Sequence, residues 1–193
     1  MGKTRTSYGK GWAGFCRWLL RRMGWTVLGG PVPEKKAIIL GVPHTSIWDF
    51  PIAYLCYTGF GDVAHVMVKK ELFFWPLGSI LRACGCIPVN RSDASELVRS
   101  LISHINNDEV FKLAIAPEGT RKPVRRWKTG AFRIAYATGV PVYAGWFDWR
   151  TKRISCGEKL VLSGDISADM AMMQAHYENM HLTGKHKDQY ITH

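Results

Sequence analysis

The sequence predicts a single α/β domain with a central, largely parallel mixed sheet flanked by helices, and an N-terminal amphipathic helix before it. Two observations lead to this prediction. Short apolar runs, typical of buried strands, alternate along the chain with segments in which apolar residues recur at helical spacing. The 193 residues, 47% hydrophobic and 21% charged, have the composition of a globular domain and are numerous enough for one core.

The predicted strands are apolar runs bounded by glycine, proline or polar turn residues. The last two are separated by a short turn around Thr151, which allows them to pair in an antiparallel manner. The six predicted strands are residues 37–40, 62–68, 86–90, 111–116, 140–149 and 154–162.

The predicted helices follow from start and stop signals as well as from apolar spacing. Pro51 suits the first turn of a helix, and Asp93 with Glu96 forms a capping pair. Gly139, two residues before Pro141, ends a helix. We expect the His- and Lys-rich tail after residue 180 to be frayed. The predicted helices are residues 12–25, 50–58, 79–83, 93–105, 130–138 and 168–180.

The N-terminal segment, residues 12–25, is amphipathic and rich in Trp, Leu and Arg. It is too short and too basic to cross a membrane as a helix, which takes about 20 apolar residues. We expect it to lie in a membrane interface, with an ordinary helix packed on the domain as the alternative. The glycines and prolines from Gly29 to Pro33 divide the chain into two units. Residues 1–30 form the N-terminal unit that contains this amphipathic helix, and residues 31–193 form the main domain.

The charge of the chain favours an anionic partner, because 26 basic and 15 acidic side chains give a net charge of +11. The excess is concentrated in residues 1–36 and in residues 121–133, and the second of these clusters contains no acidic residue. A membrane surface, a phosphorylated substrate and a nucleic acid are all candidates. We expect no nucleic-acid partner, because basic and aromatic residues form no recognisable binding motif, but a basic nucleic-acid-binding module is kept as an alternative.

The five cysteines are an odd number without the spacing of a disulfide framework, which indicates a reducing compartment. Cys84 and Cys86 are a close pair of potential metal ligands. No second pair in the sequence completes a set of four, and we therefore expect no metal site.

The segment from Pro43 to Asp49, which follows the first buried strand, is a candidate for catalytic chemistry. His44 can act as a general base near neutral pH, and Asp49 can fix the tautomer of its ring. The two residues lie roughly 140° apart around a helix, so they can meet only if His44 lies in the turn that Asp49 closes. The spacing of Ser46 and Asp49 also fits a helix capping box, which is a purely structural interpretation.

Polar residues suited to phosphate follow two other predicted strands. After the fourth strand, Gly119 permits a close backbone approach, Thr120 offers a hydroxyl and Arg121 offers a planar fork of N–H donors. Arg91 follows the third strand. Sheet proteins of this class usually place ligands where strands pass into loops. The pattern therefore predicts a phosphate site beside the His44 segment.

Taken together, these segments resemble the glycerolipid acyltransferase family, which includes the 1-acyl-glycerol-3-phosphate acyltransferases. Five ordered motifs within residues 37–145 carry the resemblance. Pro43 replaces the family's usual Asn, and Pro88 stands where an aromatic residue is frequent. The matching positions are His44, Ser46 and Asp49; Lys69, Glu71 and Leu72; Gly85, Ile87, Val89 and Arg91; Glu118 to Arg121; and Val140, Pro141 and Val142.

The resemblance implies that residues 31–193 form an acyltransferase domain. This domain would move a fatty acyl group from acyl-CoA or acyl carrier protein to the hydroxyl of a lysophospholipid-type acceptor, first of all 1-acyl-glycerol-3-phosphate. The resemblance implies no cofactor beyond this donor, which is a co-substrate. His44 would be the general base and Asp49 would orient it. The implied substrate-binding positions are Arg91, Gly119, Thr120 and Arg121 for the phosphate, with Glu118 and Ser46 ordering the turn or assisting indirectly.

We expect a cytoplasmic protein that is held peripherally on the inner face of the cell membrane, with an anionic membrane surface as a partner. An acyl-thioester hydrolase, which would use water as the acceptor, is a further alternative. The chain contains no Gly-x-Ser-x-Gly motif of the kind that many hydrolases use.

Overall fold

The structure, a computed structural model of the chain, describes residues 5–90 and 93–186. Within these residues, strands and helices alternate along most of the chain. The strands are β1 (Thr26–Leu28), β2 (Lys36–Leu40), β3 (His65–Lys69), β4 (Cys86–Val89), β5 (Phe111–Ile115), β6 (Val142–Tyr143), β7 (Trp146–Asp148) and β8 (Arg153–Ser155). The α-helices are α1 (Lys10–Arg22), α2 (Asp49–Gly59), α3 (Leu77–Ala83), α4 (Ala94–Asn107), α5 (Gly130–Thr138) and α6 (Ile166–Met180).

The central sheet has five strands in the order β4-β3-β5-β2-β6, and all of their pairings are parallel. Ile38 and Leu40 of β2 pack with residues of α4, α5 and α6. Ala37 and Ile39 of the same strand pack with Tyr57 of α2. Since alternate residues of a strand point to opposite faces, helices cover both faces of the sheet. The predicted α/β domain with a central parallel sheet flanked by helices is confirmed.

A second, smaller sheet contains three strands in the order β1-β8-β7. β7 and β8 are antiparallel, as expected for the last strands, whereas β1 runs parallel to β8. The sequence did not predict β1, because it is a three-residue run that pairs with a strand from a distant part of the chain. Its existence depends on the tertiary fold more than on local sequence.

The chain passes from one sheet to the other between β6 and β7. One strand was predicted for residues 140–149, but β6 pairs with β2 and β7 pairs with β8. Gly145 lies at the change of sheet, where a Cβ atom would come within 2.4 Å of the Leu40 carbonyl oxygen. The predicted strand 154–162 is also shortened to β8, after which Lys159 bridges to Tyr143.

α1 has one face packed against the domain and one face exposed. Cys16 and Leu20 are buried in a cluster with Ile52 and Leu55 of α2. The aromatic face is open, with Trp12 48%, Phe15 45% and Trp18 56% exposed. The helix is therefore packed on the domain, as the alternative to a membrane-interface helix required. It also has an exposed apolar face, which the membrane-interface interpretation required. The division of the chain near residue 30 stays a prediction. None of the described helices has both the length and the apolar character needed to cross a membrane.

Candidate active site

His44 lies beyond the carboxyl end of β2, in the turn that leads into α2. Its Nδ1 atom is 3.1 Å from Oδ2 of Asp49, the first residue of that helix. The Asp49 side chain is 3% exposed, whereas the His44 side chain is 31% exposed. When Nδ1 carries the proton donated to Asp49, the lone pair of the neutral ring lies on Nε2. The structure therefore brings His44 and Asp49 together, as predicted, and leaves the imidazole of His44 accessible.

Asp49 is held in one orientation by several donors. Its Oδ2 also accepts the backbone N–H groups of Thr45 and Ser46, each at 2.8 Å. Its Oδ1 accepts the indole N–H of Trp149 at 2.8 Å. Three donors on two oxygen atoms leave the Asp49 side chain little freedom to rotate. Sequence reasoning missed Trp149, because this residue lies 100 positions further along the chain and no local pattern links it to Asp49.

The same segment also contains the hydrogen bonds that the structural interpretation of the spacing predicted. They lie in the turn just before α2, whose own N-cap residue, Trp48, makes no side-chain capping bond. The backbone N–H of Trp48 donates to Ser46 Oγ at 3.2 Å, and Asp49 accepts the N–H of Ser46 in return. This reciprocal pattern resembles a capping box. The two interpretations are therefore compatible, because one carboxylate both begins α2 and contacts the ring of His44.

Glu118 ties the loop after β5 to the His44 turn. Its Oε1 accepts the backbone N–H of His44 at 2.8 Å, and its Oε2 has no hydrogen-bond partner among the described residues. The two loops meet because β2 and β5 are parallel neighbours that end at the same edge of the sheet. Glu118 is 6% exposed, and burial raises the pKa of its carboxyl to about 7. Glu118 therefore supports the backbone of the turn.

We expect the titration of Glu118 to lower the stability of the protein as the pH rises. Its carboxyl has a pKa of about 7 in the folded state against an ordinary value of 4.5, so the folded state holds the proton more tightly. This contribution is complete below pH 4.5 and is lost as the pH rises through 7. The free energy of unfolding should thereby fall by about 3 kcal/mol.

Urea unfolding at a series of pH values from 4.5 to about 8 measures this effect. The free energy of unfolding of the wild type should fall by the expected amount across this range. That of Glu118→Gln should not show this fall, because an amide does not titrate. Only the pH dependence is compared, since the amide also changes the stability by an amount independent of pH. If the free energy of unfolding changed with pH equally in the two proteins, the raised pKa of Glu118 would be contradicted.

A cavity of about 460 Å³ opens beside the His44 turn. The turn itself, the loop after β5 and the C-terminal segment all contribute to its wall. Two predicted site residues, Ser46 and Arg121, therefore face one cavity, and no acidic side chain is among its described lining residues. The lining residues are Thr45, Ser46, Ile47, Trp48, Arg121, Lys122, Lys185 and His186.

The other predicted phosphate residues shape the loop that carries Arg121. Gly119 has a φ angle of +67°, which favours glycine, and Thr120 Oγ1 accepts the backbone N–H of Lys122 at 3.2 Å. Arg91 lies outside the described residues, so its role stays a prediction. In the described part of the chain, no group of three His, Cys, Asp or Glu side chains is placed to hold a metal ion.

The C-terminal segment, residues 182–186, packs over the His44 turn, so the expectation of a frayed tail was wrong for these residues. Trp149 donates its backbone N–H to the carbonyl of Thr183 at 2.8 Å. His186 donates its backbone N–H to Thr45 Oγ1 at 3.4 Å. The polar composition of the tail gave no sign of these contacts, because they depend on backbone groups and on distant partners.

Two comparisons with known proteins bear on this site. A family model described as Acyltransferase matches residues 25–148, which include the His44 turn, Glu118 and Arg121. The structure is similar to the crystal structure of the 1-acyl-sn-glycerophosphate (LPA) acyltransferase, PlsC, from Thermotoga maritima, with a TM-score of 0.59 and 20% sequence identity. The similarity covers 89% of this chain and 78% of that chain, and at this identity it concerns the fold. No curated protein matches the sequence.

Proposed function

The chain belongs to the acyltransferase family, and we propose that it moves a fatty acyl group from an acyl thioester to the hydroxyl of a lysophospholipid-type acceptor. The contact between His44 and Asp49 beside a basic cavity is the observation that carries this proposal. A base next to several cations suits an acceptor that has both a hydroxyl and a phosphate. The 1-acyl-sn-glycerophosphate named for the Thermotoga maritima protein has both groups.

The proposed reaction needs no covalent enzyme intermediate, because a thioester is already activated toward attack. Nε2 of His44 takes the proton from the acceptor hydroxyl as the hydroxyl oxygen attacks the thioester carbonyl carbon. The tetrahedral intermediate collapses, the carbon–sulfur bond breaks, and His44 returns the proton to the leaving thiolate. Asp49 keeps the Nδ1 proton in place and stabilises the protonated ring, while Trp149 and two backbone N–H groups hold the carboxylate.

In this proposal the phosphate of the acceptor lies in the basic cavity. Arg121 binds it through its planar fork of donors, while Gly119 and Thr120 set the conformation of the loop. Arg91 is assigned to the same phosphate from its motif alone. The donor is acyl-CoA or acyl carrier protein, and no further cofactor takes part.

An acceptor screen with labelled acyl-CoA tests the proposed function. Chromatography should show a diacylated product with 1-acyl-glycerol-3-phosphate, and much less product with a monoacylglycerol, which has the hydroxyl but lacks the phosphate. Equal use of both acceptors would contradict the role of the basic cavity. Acyl-CoA consumption that ignored every acceptor would favour a thioester hydrolase.

We further propose that the protein binds peripherally to an anionic membrane surface, on the cytoplasmic face of the cell membrane. The exposed face of α1 supports this proposal. The ring of Phe15 lies 5.3 Å from that of Trp12 and 5.8 Å from that of Trp18, which gives a continuous aromatic surface. Arg21 and Arg22 are exposed at the end of the helix. Apolar burial and attraction to anionic headgroups, at about 1 kcal/mol per basic residue, would act together.

A second group of exposed apolar residues follows β3. Tyr8, which precedes α1, donates its hydroxyl to the carbonyl of Ala83 at the end of α3, at 3.0 Å. The second group therefore belongs to a neighbour of the N-terminal segment. Its members, in α3 and the residues before it, are Leu72, Phe74, Trp75 and Ile80.

The double variant Phe15→Ser and Trp18→Ser should bind anionic vesicles at least about tenfold more weakly than the wild type. Both side chains are exposed, so the buried face of α1 stays intact. Sedimentation with vesicles at low and high salt measures the effect, and the wild type should detach at high salt and bind neutral vesicles poorly. Val161→Ser, which alters another exposed apolar residue, is the control. Full-strength binding by a folded double variant would refute the proposal.

A further inference from the structure

Lys185 has a side chain that is held between two indole rings. Its Nζ atom lies 4.8 Å from the ring centroid of Trp48 and 5.0 Å from that of Trp149. Contacts of this kind attract an ammonium group to the ring faces. They reduce the number of rotamers that this exposed side chain samples. The charge of Lys185 is therefore favoured beside the His44 turn.

This position is on the wall of the basic cavity, together with Arg121 and Lys122. No described carboxylate lines the cavity. Cations gathered in a concave site attract and concentrate anions. Trp149 links Lys185 to the candidate active site, because its indole N–H donates to Asp49 while its ring contacts the ammonium.

We propose that Lys185 is a phosphate-binding residue of this site, supplied by the C-terminal segment and positioned by Trp48 and Trp149. The inference rests on the proposed acyl transfer and adds a residue to it, since the family match ends at residue 148. The ligand is a phosphate group, carried either by the acceptor or by the CoA part of the donor. Lys185 and Arg121 reach the same cavity from two separate parts of the chain.

Steady-state kinetics of Lys185→Met test the proposal, because methionine keeps an unbranched side chain against the indoles and removes the charge. The variant should raise the KM for the phosphate-bearing substrate about tenfold, as expected for the loss of one charge-assisted hydrogen bond. Its kcat should change little, because the contact holds substrate and transition state alike. Lys185→Arg should restore most of the affinity, since it keeps both the charge and the stacking.

Two arms of the experiment identify which substrate carries the phosphate. One compares 1-acyl-glycerol-3-phosphate with a monoacylglycerol, and the other compares acyl-CoA with an acyl-N-acetylcysteamine thioester, which has no phosphate. A KM increase confined to the phosphate-bearing member of either pair supports the proposal and names the source. Equal effects on substrates with and without phosphate would overturn it.

Lys35→Met is the matched control for net charge. Lys35 precedes β2, at the end of the sheet opposite to His44, and pairs with Glu109 at 2.7 Å on the surface. Its removal should leave every KM unchanged. A KM increase equal to that of Lys185→Met would show that only the overall charge matters, and would overturn the proposal.

Chemical labelling of the wild-type lysines tests the site without any turnover. Glycerol 3-phosphate and adenosine 3′,5′-bisphosphate are tested separately, as the phosphate-bearing parts of the acceptor and of CoA. At least one of them should slow the acetylation of Lys185 by acetic anhydride and leave Lys35 unaffected, as measured by mass spectrometry of peptides. Protection of Lys185 in a protein that transfers no acyl group would support the phosphate site and defeat only the proposed function. Labelling of Lys185 that neither phosphate compound slows, in a protein that uses the phosphate-bearing acceptor, would overturn the present inference alone.

Discussion

The His44→Ala variant should lose about 10²- to 10⁴-fold in turnover while it keeps its fold, because this is the usual contribution of a general base. The ring of His44 is 31% exposed and lies in a turn, so its removal leaves the buried core clusters unchanged. The measurement is kcat with acyl-CoA and 1-acyl-glycerol-3-phosphate, together with a circular dichroism spectrum of the variant.

His104→Gln is the matched control for this experiment. His104 also contacts a carboxylate, that of Asp108 at 3.3 Å, but it lies on α4. Its ring stacks on Phe111 at the start of β5, whereas His44 follows the opposite end of the neighbouring parallel strand β2. This variant should keep a turnover close to that of the wild type. A folded His44→Ala protein with near-normal turnover would end the proposed mechanism.

The Arg121→Ala variant should lower kcat/KM for a phosphate-bearing acceptor by about 10²- to 10³-fold. A guanidinium can donate two charge-assisted hydrogen bonds to phosphate, each worth about 1.5 to 2 kcal/mol. Arg121→Lys should restore only part of the loss, because an ammonium cannot reproduce the planar fork. Steady-state kinetics with acceptors that have and lack the phosphate separate this effect from a general loss of activity.

Arg133→Ala is the control for the charge of the basic cluster. Arg133 belongs to the same basic part of the chain, but it is exposed on α5 and is not a lining residue of the cavity. Its variant should use the acceptor normally. If Arg121→Ala altered only the dependence on acyl-CoA, the assignment of Arg121 to the acceptor would be wrong.

The sequence was most informative where the structure depends on neighbouring residues. α5 has the predicted bounds, since Gly139 adopts the left-handed conformation that ends a helix. The contact between His44 and Asp49 was also predictable, because one turn contains both residues. Glu118 was identified from its motif, but its hydrogen bond to the His44 backbone required the pairing of β2 with β5.

The remaining features depend on contacts between distant segments. Trp149 reaches Asp49 because β7 belongs to the small sheet, and apolar periodicity does not encode which sheet a strand joins. Lys185 lies in a segment without regular secondary structure, so neither spacing nor propensity could place it between two indoles. The change of sheet at Gly145 was missed for the same reason, since a continuous apolar run reads as one strand.

The fate of the labelled acyl group tests the central claim most directly. Wild-type protein, labelled acyl-CoA and 1-acyl-glycerol-3-phosphate are incubated together, and mass spectrometry measures the label in diacylated lipid and in free fatty acid. The proposed mechanism predicts that nearly all of the transferred label enters the diacylated phosphate lipid, and that His44→Ala forms almost none of it. Release of the label as free fatty acid, at the same rate with and without the acceptor, would contradict acyl transfer to a lipid hydroxyl.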